Sequence, residues 1–169
     1  MKYNVRKLSM AAMLVAVSVI LSTFSIPIGA SRCFPIQHFV NVVAAVFLGP
    51  LYGVLMAFCT SFIRNLLGTG SLLAFPGSMA GAFLSGIVFS HTKKVWTAYA
   101  GEVFGTGVIG GMLCYPIASL FLGQDAALFT FVIPFLMSTV CGTIIAAGII
   151  GTLYRSKAIY RIWSALGKE

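Results

Sequence analysis

Five polar side chains inside long apolar stretches are the candidates for ligand-binding chemistry. His38 precedes Asn41 by about one helical turn, Arg64 adjoins Asn65, and Glu102 lies in a glycine-rich stretch. Ionisable groups are costly inside a membrane, where they mark binding sites or buried pairs. An imidazole, two amides, a guanidinium and a carboxylate can recognise a small polar ligand through hydrogen bonds and charge.

Each ionisable candidate also has a structural interpretation. His38 suits a membrane interface, facing lipid headgroups, and Arg64 suits a helix end whose charge extends to that interface. Glu102 lies about two turns into its predicted helix, between Gly101 and Gly105. It has close helix neighbours there, so it must be paired with a donor or carry a proton. It either reaches the floor of a pocket or holds its own helix in place.

Aromatic residues add a possible wall for a flat ring. Phe34, Phe75 and Tyr115 are predicted near the outer half of the membrane, although core packing is an alternative role for each of them. Both tryptophans, Trp96 and Trp163, fall near the opposite interface, where such rings commonly anchor a protein in the membrane.

Composition identifies the elements that must position these groups. Charged residues make up 8% of the 169 residues, against about 25% in soluble domains. Mean hydropathy is +1.01. Uncharged runs are long enough for helices that cross a membrane, which takes about 20 apolar residues. These runs are 8–31, 33–63, 65–92, 103–124 and 126–154. The chain is therefore predicted to be an integral membrane protein with one domain over residues 1–169, and a soluble enzyme is excluded.

Positive charge predicts the number of helices and their orientation. Nine of the eleven Lys and Arg residues lie in clusters at 2–7, 93–94 and 155–168, and Arg32 and Arg64 stand apart. Cytoplasmic ends of membrane helices collect such charges, and anionic lipid attracts them, so contact with nucleic acid is not indicated. Splitting the run 33–63 at Gly49-Pro50 puts nine positive charges inside and two outside. We therefore predict an all-α bundle of six helices with both termini cytoplasmic, at 8–27, 36–49, 51–66, 76–91, 96–121 and 128–153.

Two of the predicted helices are short. At 1.5 Å per residue, helices 36–49 and 51–66 would rise about 21 and 24 Å, less than a hydrocarbon core of about 30 Å. Irregular backbone at membrane depth is tolerated where it lines a cavity. We therefore expect the outer connections 28–35 and 67–75 to fold back over a pocket. The first segment is interpreted as a retained helix, not as a cleaved signal peptide.

Enzymatic and metal chemistry has little support in the sequence. The four cysteines have no C-x-x-C spacing, so neither a metal site nor a disulfide framework is predicted, and no cofactor is indicated. No phosphate-binding loop of the G-x-x-x-x-G-K-[ST] type occurs, so a transporter built from this chain needs energy from a partner or a gradient. A small-residue face at Ala12 and Ala16 could dock another membrane protein.

These features together carry a family resemblance. A short six-helix protein with an A-x-x-x-A face and no ATPase motif resembles the substrate-binding S component of an energy-coupling-factor (ECF) vitamin transporter. Three stretches, CFPIQHFVNVVAAVFLGP (33–50), FIRNLLGTGSLLAFPGSMAGA (62–82) and GEVFGTGVIG (101–110), resemble the ThiW family of thiazole-type S components. The resemblance implies capture of hydroxyethylthiazole for thiamine salvage. It also implies a cell-membrane complex with a transmembrane scaffold, contacted through Ala12 and Ala16, and two cytoplasmic ATPases.

The sequence thus predicts a binding protein with an outer pocket. A thiazole ring would stack on Phe34, Phe75 or Tyr115, and His38, Asn41 and Asn65 would supply hydrogen bonds to the ring nitrogen and the hydroxyl. Arg64 would instead favour a phosphorylated ligand, and Glu102 would reach the pocket floor or hold its helix. The alternatives are an S component for another small heterocycle, and an intramembrane enzyme or assembly factor.

Overall fold

Helices make up most of the chain in the computed structural model, which describes residues 5–28, 31–123, 125 and 127–167. Parts of two predictions, Lys2 and Lys168 in the basic clusters and residues 29–30 of an outer connection, lie outside those ranges. The elements, in chain order, are α1 (Val5–Leu21), β1 (Ile26–Ile28), β2 (Ser31–Cys33), α2 (Pro35–Phe47), α3 (Pro50–Leu66), α4 (Ala74–Thr92), α5 (Val95–Phe104), a π-helical segment (Gly105–Gly110), α6 (Gly111–Phe121), α7 (Val132–Arg155) and α8 (Ala158–Ala165).

The helices predicted at 36–49, 51–66, 76–91 and 96–121 agree with the structure to within two residues at each end. The predicted break at Gly49-Pro50 is present. Gly49 has a φ of 95°, which favours glycine, and Pro50 begins α3 where a missing N–H costs nothing. Helix α8 was not predicted.

The structure differs from the prediction at the first helix. The helix predicted at 8–27 ends at Leu21, and the chain then forms an antiparallel pair of short strands in which Ile26 lies opposite Cys33. Pro27 explains the difference, because proline in a helix interior removes a hydrogen bond and clashes with the preceding turn. The outer connection predicted at 28–35 therefore begins inside a hairpin.

Two helices among the described residues are long and apolar enough to cross a membrane. They are Val95–Phe121, which runs through α5, the π-helical segment and α6, and Val132–Arg155. Pro35–Phe47 is apolar but shorter, with 13 residues and a rise of about 20 Å.

Helix α2 is the centre of the molecule. Eleven of its 13 residues are buried, and it packs against α7, α4, α3, α1 and α5. A helix that is enclosed on all sides carries apolar residues all round, and every residue from Val42 to Phe47 is apolar and buried in the core. The three polar residues of α2 that are buried in this setting, Gln37, His38 and Asn41, need partners from neighbouring helices.

Small residues let α4 approach its neighbours closely. A Cβ atom added at Gly105 would lie 2.8 Å from the Cα of Gly81, and one added at Gly101 would lie 2.7 Å from the Cα of Ser85. The Gly77-x-x-x-Gly81-x-x-x-Ser85 stripe of α4 thus faces the glycine stripe of α5 and the π-helical segment. Such stripes allow backbones to approach in lipid.

The two ends of the described chain meet on one side of the bundle. Arg6 donates a hydrogen bond of 3.0 Å from Nη1 to the carbonyl oxygen of Ala165. Nearby, Trp163 makes edge-to-face contacts with Tyr154 and Tyr160. The hydrogen bond from Arg6 to Ala165 fixes the start of α1 and the end of α8 at the same end of the molecule.

Candidate functional site

A cavity of about 670 Å³ opens between the hairpin end of the bundle and the α3–α4 connection. Ligand pockets commonly have volumes of 300–1,000 Å³. The cavity is lined by hydroxyl, aromatic and glycine residues around three larger polar side chains. The lining residues are Ser22, Thr23, Ser25, Phe34, Gln37, His38, Arg64, Gly68, Thr69, Gly70, Ser71, Leu73, Ala74, Ser78, Thr106, Phe131, Phe135 and Ser138.

His38 is held in the cavity wall by a fully buried carboxylate. Its Nδ1 lies 2.9 Å from Oε1 of Glu102, and the same oxygen accepts hydrogen bonds from Nδ2 of Asn41 at 3.0 Å and from Oγ1 of Thr106 at 3.0 Å. The side chain of Glu102 has no exposed surface. Three donors on one oxygen fix the orientation of the imidazole.

The second ring nitrogen of His38 is available to a ligand. Within the described part of the chain, Nε2 makes no hydrogen bond, and the ring lines the cavity. Because Nδ1 faces a carboxylate, Nδ1 carries the proton in a neutral ring and Nε2 is an acceptor. A ligand hydroxyl is the group that suits this position.

Arg64 also lines the cavity, although only 1% of its surface is exposed. Its Nη1 donates to Oε1 of Gln37, its Nη2 donates to the carbonyl oxygen of Thr69 at 3.2 Å, and the guanidinium carbon lies 4.3 Å from the centre of the Phe34 ring. Its Nε has no partner among the described residues.

The connection from α3 to α4 is built around the backbone of Arg64. The N–H groups of Thr69 and Gly70 donate to the Arg64 carbonyl oxygen at 2.9 and 3.0 Å. Asn65 crosses the turn, because its Nδ2 donates to the carbonyl oxygens of Ser61 at 2.8 Å and Ser71 at 3.1 Å. A Cβ at Gly70 would lie 3.0 Å from the backbone of residues 64 and 65, so this close turn requires glycine.

Comparison with protein families places this site in a known context. A family model described as thiamine-precursor transporter protein (ThiW) matches residues 8–156, nearly the whole chain. The chain belongs to the ThiW family. It is therefore a transporter protein of the membrane, and the family resemblance predicted from the three sequence stretches is confirmed. Comparison with curated proteins gives no match, and neither does comparison with solved structures.

The structure brings five of the eight predicted site residues together. Phe34, His38 and Arg64 line the cavity, and Asn41 and Glu102 lie directly behind His38. Both hydrogens of the Asn41 amide face acceptors within the protein, because Nδ2 lies 3.2 Å from the oxygens of Ser78 and 3.0 Å from Glu102. Asn41 therefore positions the network and has no donor left for a ligand.

The other three predicted site residues are not part of the cavity lining. Asn65 is engaged in the turn after α3. Phe75 packs its ring against Phe58 at 5.6 Å between centroids, and Tyr115 lies on α6 with 38% of its surface exposed. The aromatic rings that do face the cavity with Phe34 are Phe131 and Phe135, at the start of α7.

Several lining residues were not predicted from the sequence. Gln37 sits between Pro35 and His38 in an apolar run, so its amide was a signal that sequence reasoning could have used. Thr106 lies in the π-helical segment, a feature often found at functional sites but not readable from sequence. Ser138 accepts a hydrogen bond of 2.9 Å from the Phe34 N–H, which ties the cavity mouth to α7.

The site has no metal-binding character in the described residues, where no group of three His, Cys, Asp or Glu side chains comes together. The Cys33, Cys59, Cys114 and Cys141 thiols are all free. The cavity residues can recognise a small ligand in three ways: aromatic side chains contact a ring, His38 Nε2 accepts a hydrogen bond, and Arg64 contributes a positive charge.

Proposed function

We propose that this ThiW protein is the substrate-binding S component of an ECF-type importer and that it captures hydroxyethylthiazole. The observation that supports this most directly is the available Nε2 of His38 in a partly aromatic cavity. The thiazole ring stacks against Phe34, Phe131 or Phe135, and the ligand hydroxyl donates to Nε2. Gln37 and the hydroxyls of Ser78 and Ser138 line the cavity and can donate to the ring nitrogen.

The proposed topology is a multi-pass protein of the cell membrane, with six membrane helices and both termini in the cytoplasm. The distribution of positive charge supports this orientation. The hydrogen bond from Arg6 to Ala165 supports termini on one side, and the cavity then opens at the other, outer side. Residues 1–169 form a single transmembrane binding domain in this proposal.

The proposed energy source is a partner complex of one transmembrane scaffold and two cytoplasmic ATPases. The chain has no phosphate-binding loop of the Walker type. Ala12 and Ala16 are exposed on α1, whereas Ala11 and Ser18 of the same helix are buried. The two alanines thus lie on the side of α1 that faces away from the bundle, where a scaffold helix can approach closely.

Two measurements on the full chain test this proposal. Calorimetry of the protein in detergent is expected to detect hydroxyethylthiazole, and the ligand at one hundred times its Kd should stabilise the fold by about 2.7 kcal/mol. Co-expression with an ECF scaffold and its ATPases should yield a complex that carries the protein through purification. Absence of both binding and co-purification would contradict the assignment, whereas co-purification with a different heterocycle bound would change only the ligand.

A further inference from the structure

We infer that the cavity contains an oxyanion subsite at Arg64, so that the preferred ligand is a thiazole carrying a phosphate monoester or a carboxylate. The inference rests on the proposed function, because it takes the cavity to be the ligand site. It changes the class of ligand from a neutral alcohol to an anion.

Arg64 is a buried cation that has no counter-ion among the described residues. Among the described residues, its partners are the neutral oxygens of Gln37 and Thr69 and the ring of Phe34, and it takes part in no ion pair. The chain has only three acidic residues, Glu102, Asp125 and Glu169. Glu102 is engaged by His38, Asn41 and Thr106 instead. A buried charge is costly unless it is paired, and a ligand anion would provide the missing partner.

The unpaired Nε of Arg64 adds geometry to this argument. The Nε atom is buried and has no hydrogen-bond partner in the described structure, while Nη1 and Nη2 each donate one of their two N–H groups to a protein oxygen. Arginine presents its donors in a planar fork that matches carboxylate and phosphate oxygens. Arg64 therefore keeps a charged donor unused at a cavity wall.

The α3–α4 connection adds further groups that favour an anion beside Arg64. Helix α4 begins at Ala74 without a side-chain cap, and Leu73 and Ala74 line the cavity. The N–H groups of Ala74 and Phe75 donate to the carbonyl oxygens of Ser71 and Leu72 at 3.0 and 3.3 Å, so this helix start favours an anion through its partial positive charge only. The hydroxyls of Ser25 and Ser71 line the same cavity and make no hydrogen bond within the described residues.

The size of the cavity is consistent with a ligand larger than the neutral alcohol. A single five-membered ring with two short substituents fills only part of about 670 Å³. Phe131 and Phe135 can hold the ring, and His38 and Arg64 line the same cavity. The volume left by the ring and its short substituents is room for a phosphate or carboxylate on the substituent.

Titration calorimetry of the wild-type protein tests the inference directly. The probes are hydroxyethylthiazole, its phosphate monoester, an analogue with a carboxymethyl group in place of the hydroxyethyl group, and inorganic phosphate. A charge-assisted hydrogen bond is expected to make at least one thiazole anion bind ten times or more tighter than the alcohol. The comparison between the two anions identifies which oxyanion is preferred. Phosphate should compete with the favoured anion but not bind tightly by itself.

Variants of Arg64 separate the subsite from the rest of the pocket. Arg64→Met should abolish the ratio by which the anion binds more tightly than hydroxyethylthiazole, and Arg64→Lys should restore part of that ratio. Arg155→Gln removes an exposed positive charge at the opposite end of the bundle and should leave both affinities unchanged.

The outcomes distinguish this inference from the proposed function. If the neutral thiazole binds wild-type protein as tightly as both anions, the oxyanion subsite is wrong and the proposed function stands. If no thiazole of either kind binds, the proposed function itself fails. The wild-type series decides the question even where an Arg64 variant does not fold.

Discussion

His38 and Glu102 are joined by a contact of 2.9 Å between Nδ1 and Oε1, which connects the cavity wall on α2 to the end of α5. The carboxylate lies against the glycine stripe of α4 as well, since a Cβ at Gly81 would come within 2.8 Å of its Oε2. One buried group therefore orients the ligand-facing imidazole and sits at the contact of three helices. A change in helix packing at this point must alter the orientation of His38.

His38→Ala should weaken ligand binding by roughly 0.5–1.5 kcal/mol, the usual net value of a neutral hydrogen bond, because Nε2 is lost. Asn41→Ala should weaken it by a similar amount for a different reason, since it removes one of the donors that hold Glu102. Calorimetric titration with hydroxyethylthiazole measures both. His91→Ala is the matched control, because His91 is exposed at the end of α4 and should not affect binding. Unchanged affinity in both His38→Ala and Asn41→Ala would place the ligand elsewhere.

Gly81→Ala should reduce both stability and ligand binding. The added methyl group would collide with Thr106 Oγ1 and Glu102 Oε2, and a well-packed interior resists such insertion with a cost of typically 1–3 kcal/mol. Gly148→Ala is the matched control on α7, where a Cβ meets nothing within 4 Å. It should be neutral or should stabilise the helix by about 0.5–1 kcal/mol. Thermal unfolding in detergent, with and without ligand, compares the two. Equal effects of both changes would contradict the role of Gly81 in packing Glu102.

The helices could be predicted from the sequence, but the contacts between their polar residues could not. Charged residues and the Gly49-Pro50 pair mark the ends of the apolar runs. The predicted ends of four helices therefore agree with the observed ends to within two residues. The apolar run after Leu21 contains no charge until Arg32, so the pattern predicts a helix that continues to Pro27 and overlaps strand β1. Proline in that run was the signal that could have ended the helix earlier.

The polar network escaped prediction because it depends on helix depth and register. The sequence pattern leaves two roles for Glu102, reaching the pocket floor or holding its own helix. It does not predict that Glu102 and His38 share a hydrogen bond. The short helix α2 brings His38 and Asn41 to the level of Glu102, as the hydrogen bonds show. Phe75 and Tyr115 are aromatic, so the sequence predicts that they contact a ligand ring. Their positions around the helix axes turn them away from the cavity, which Phe131 and Phe135 line instead.

Cysteine labelling tests the proposed orientation in the membrane. In a variant without native cysteines, a cysteine introduced at Ser31 should react with an impermeant thiol reagent added to intact cells. One introduced at Lys94 should react only after the membrane is permeabilised. The expectation follows from the position of Ser31 at the cavity end of the bundle and from the positive-inside distribution of Lys and Arg. Reaction of both positions from the same side would contradict the six-helix topology.

Replacing Ala12 or Ala16 by Leu should block transport but not ligand capture. Both residues are exposed on α1, so the larger side chain costs little in the solitary protein but prevents close approach of a scaffold helix. Uptake by whole cells and co-purification with the scaffold should fall, while calorimetric affinity stays unchanged. Ala11→Leu is the contrasting variant, because Ala11 is buried in the core and the change should lower the stability of the protein itself. Loss of ligand binding in the Ala12 or Ala16 variants would assign this face to internal packing.

Ligand binding should leave intrinsic tryptophan fluorescence nearly unchanged. Trp96 and Trp163, the two tryptophans of the chain, are absent from the cavity lining that the described residues form, and Trp163 packs instead with Tyr154 and Tyr160 near the chain ends. Calorimetry should nevertheless detect the thiazole in the same sample.

Thiamine is the informative competitor, because its positively charged thiazolium ring would lie in the cavity that contains the buried Arg64 cation. It should bind more weakly than hydroxyethylthiazole, since like charges repel strongly where water is excluded. Tighter binding of thiamine, or a large fluorescence change on addition of the thiazole, would show that the ligand occupies a different pocket.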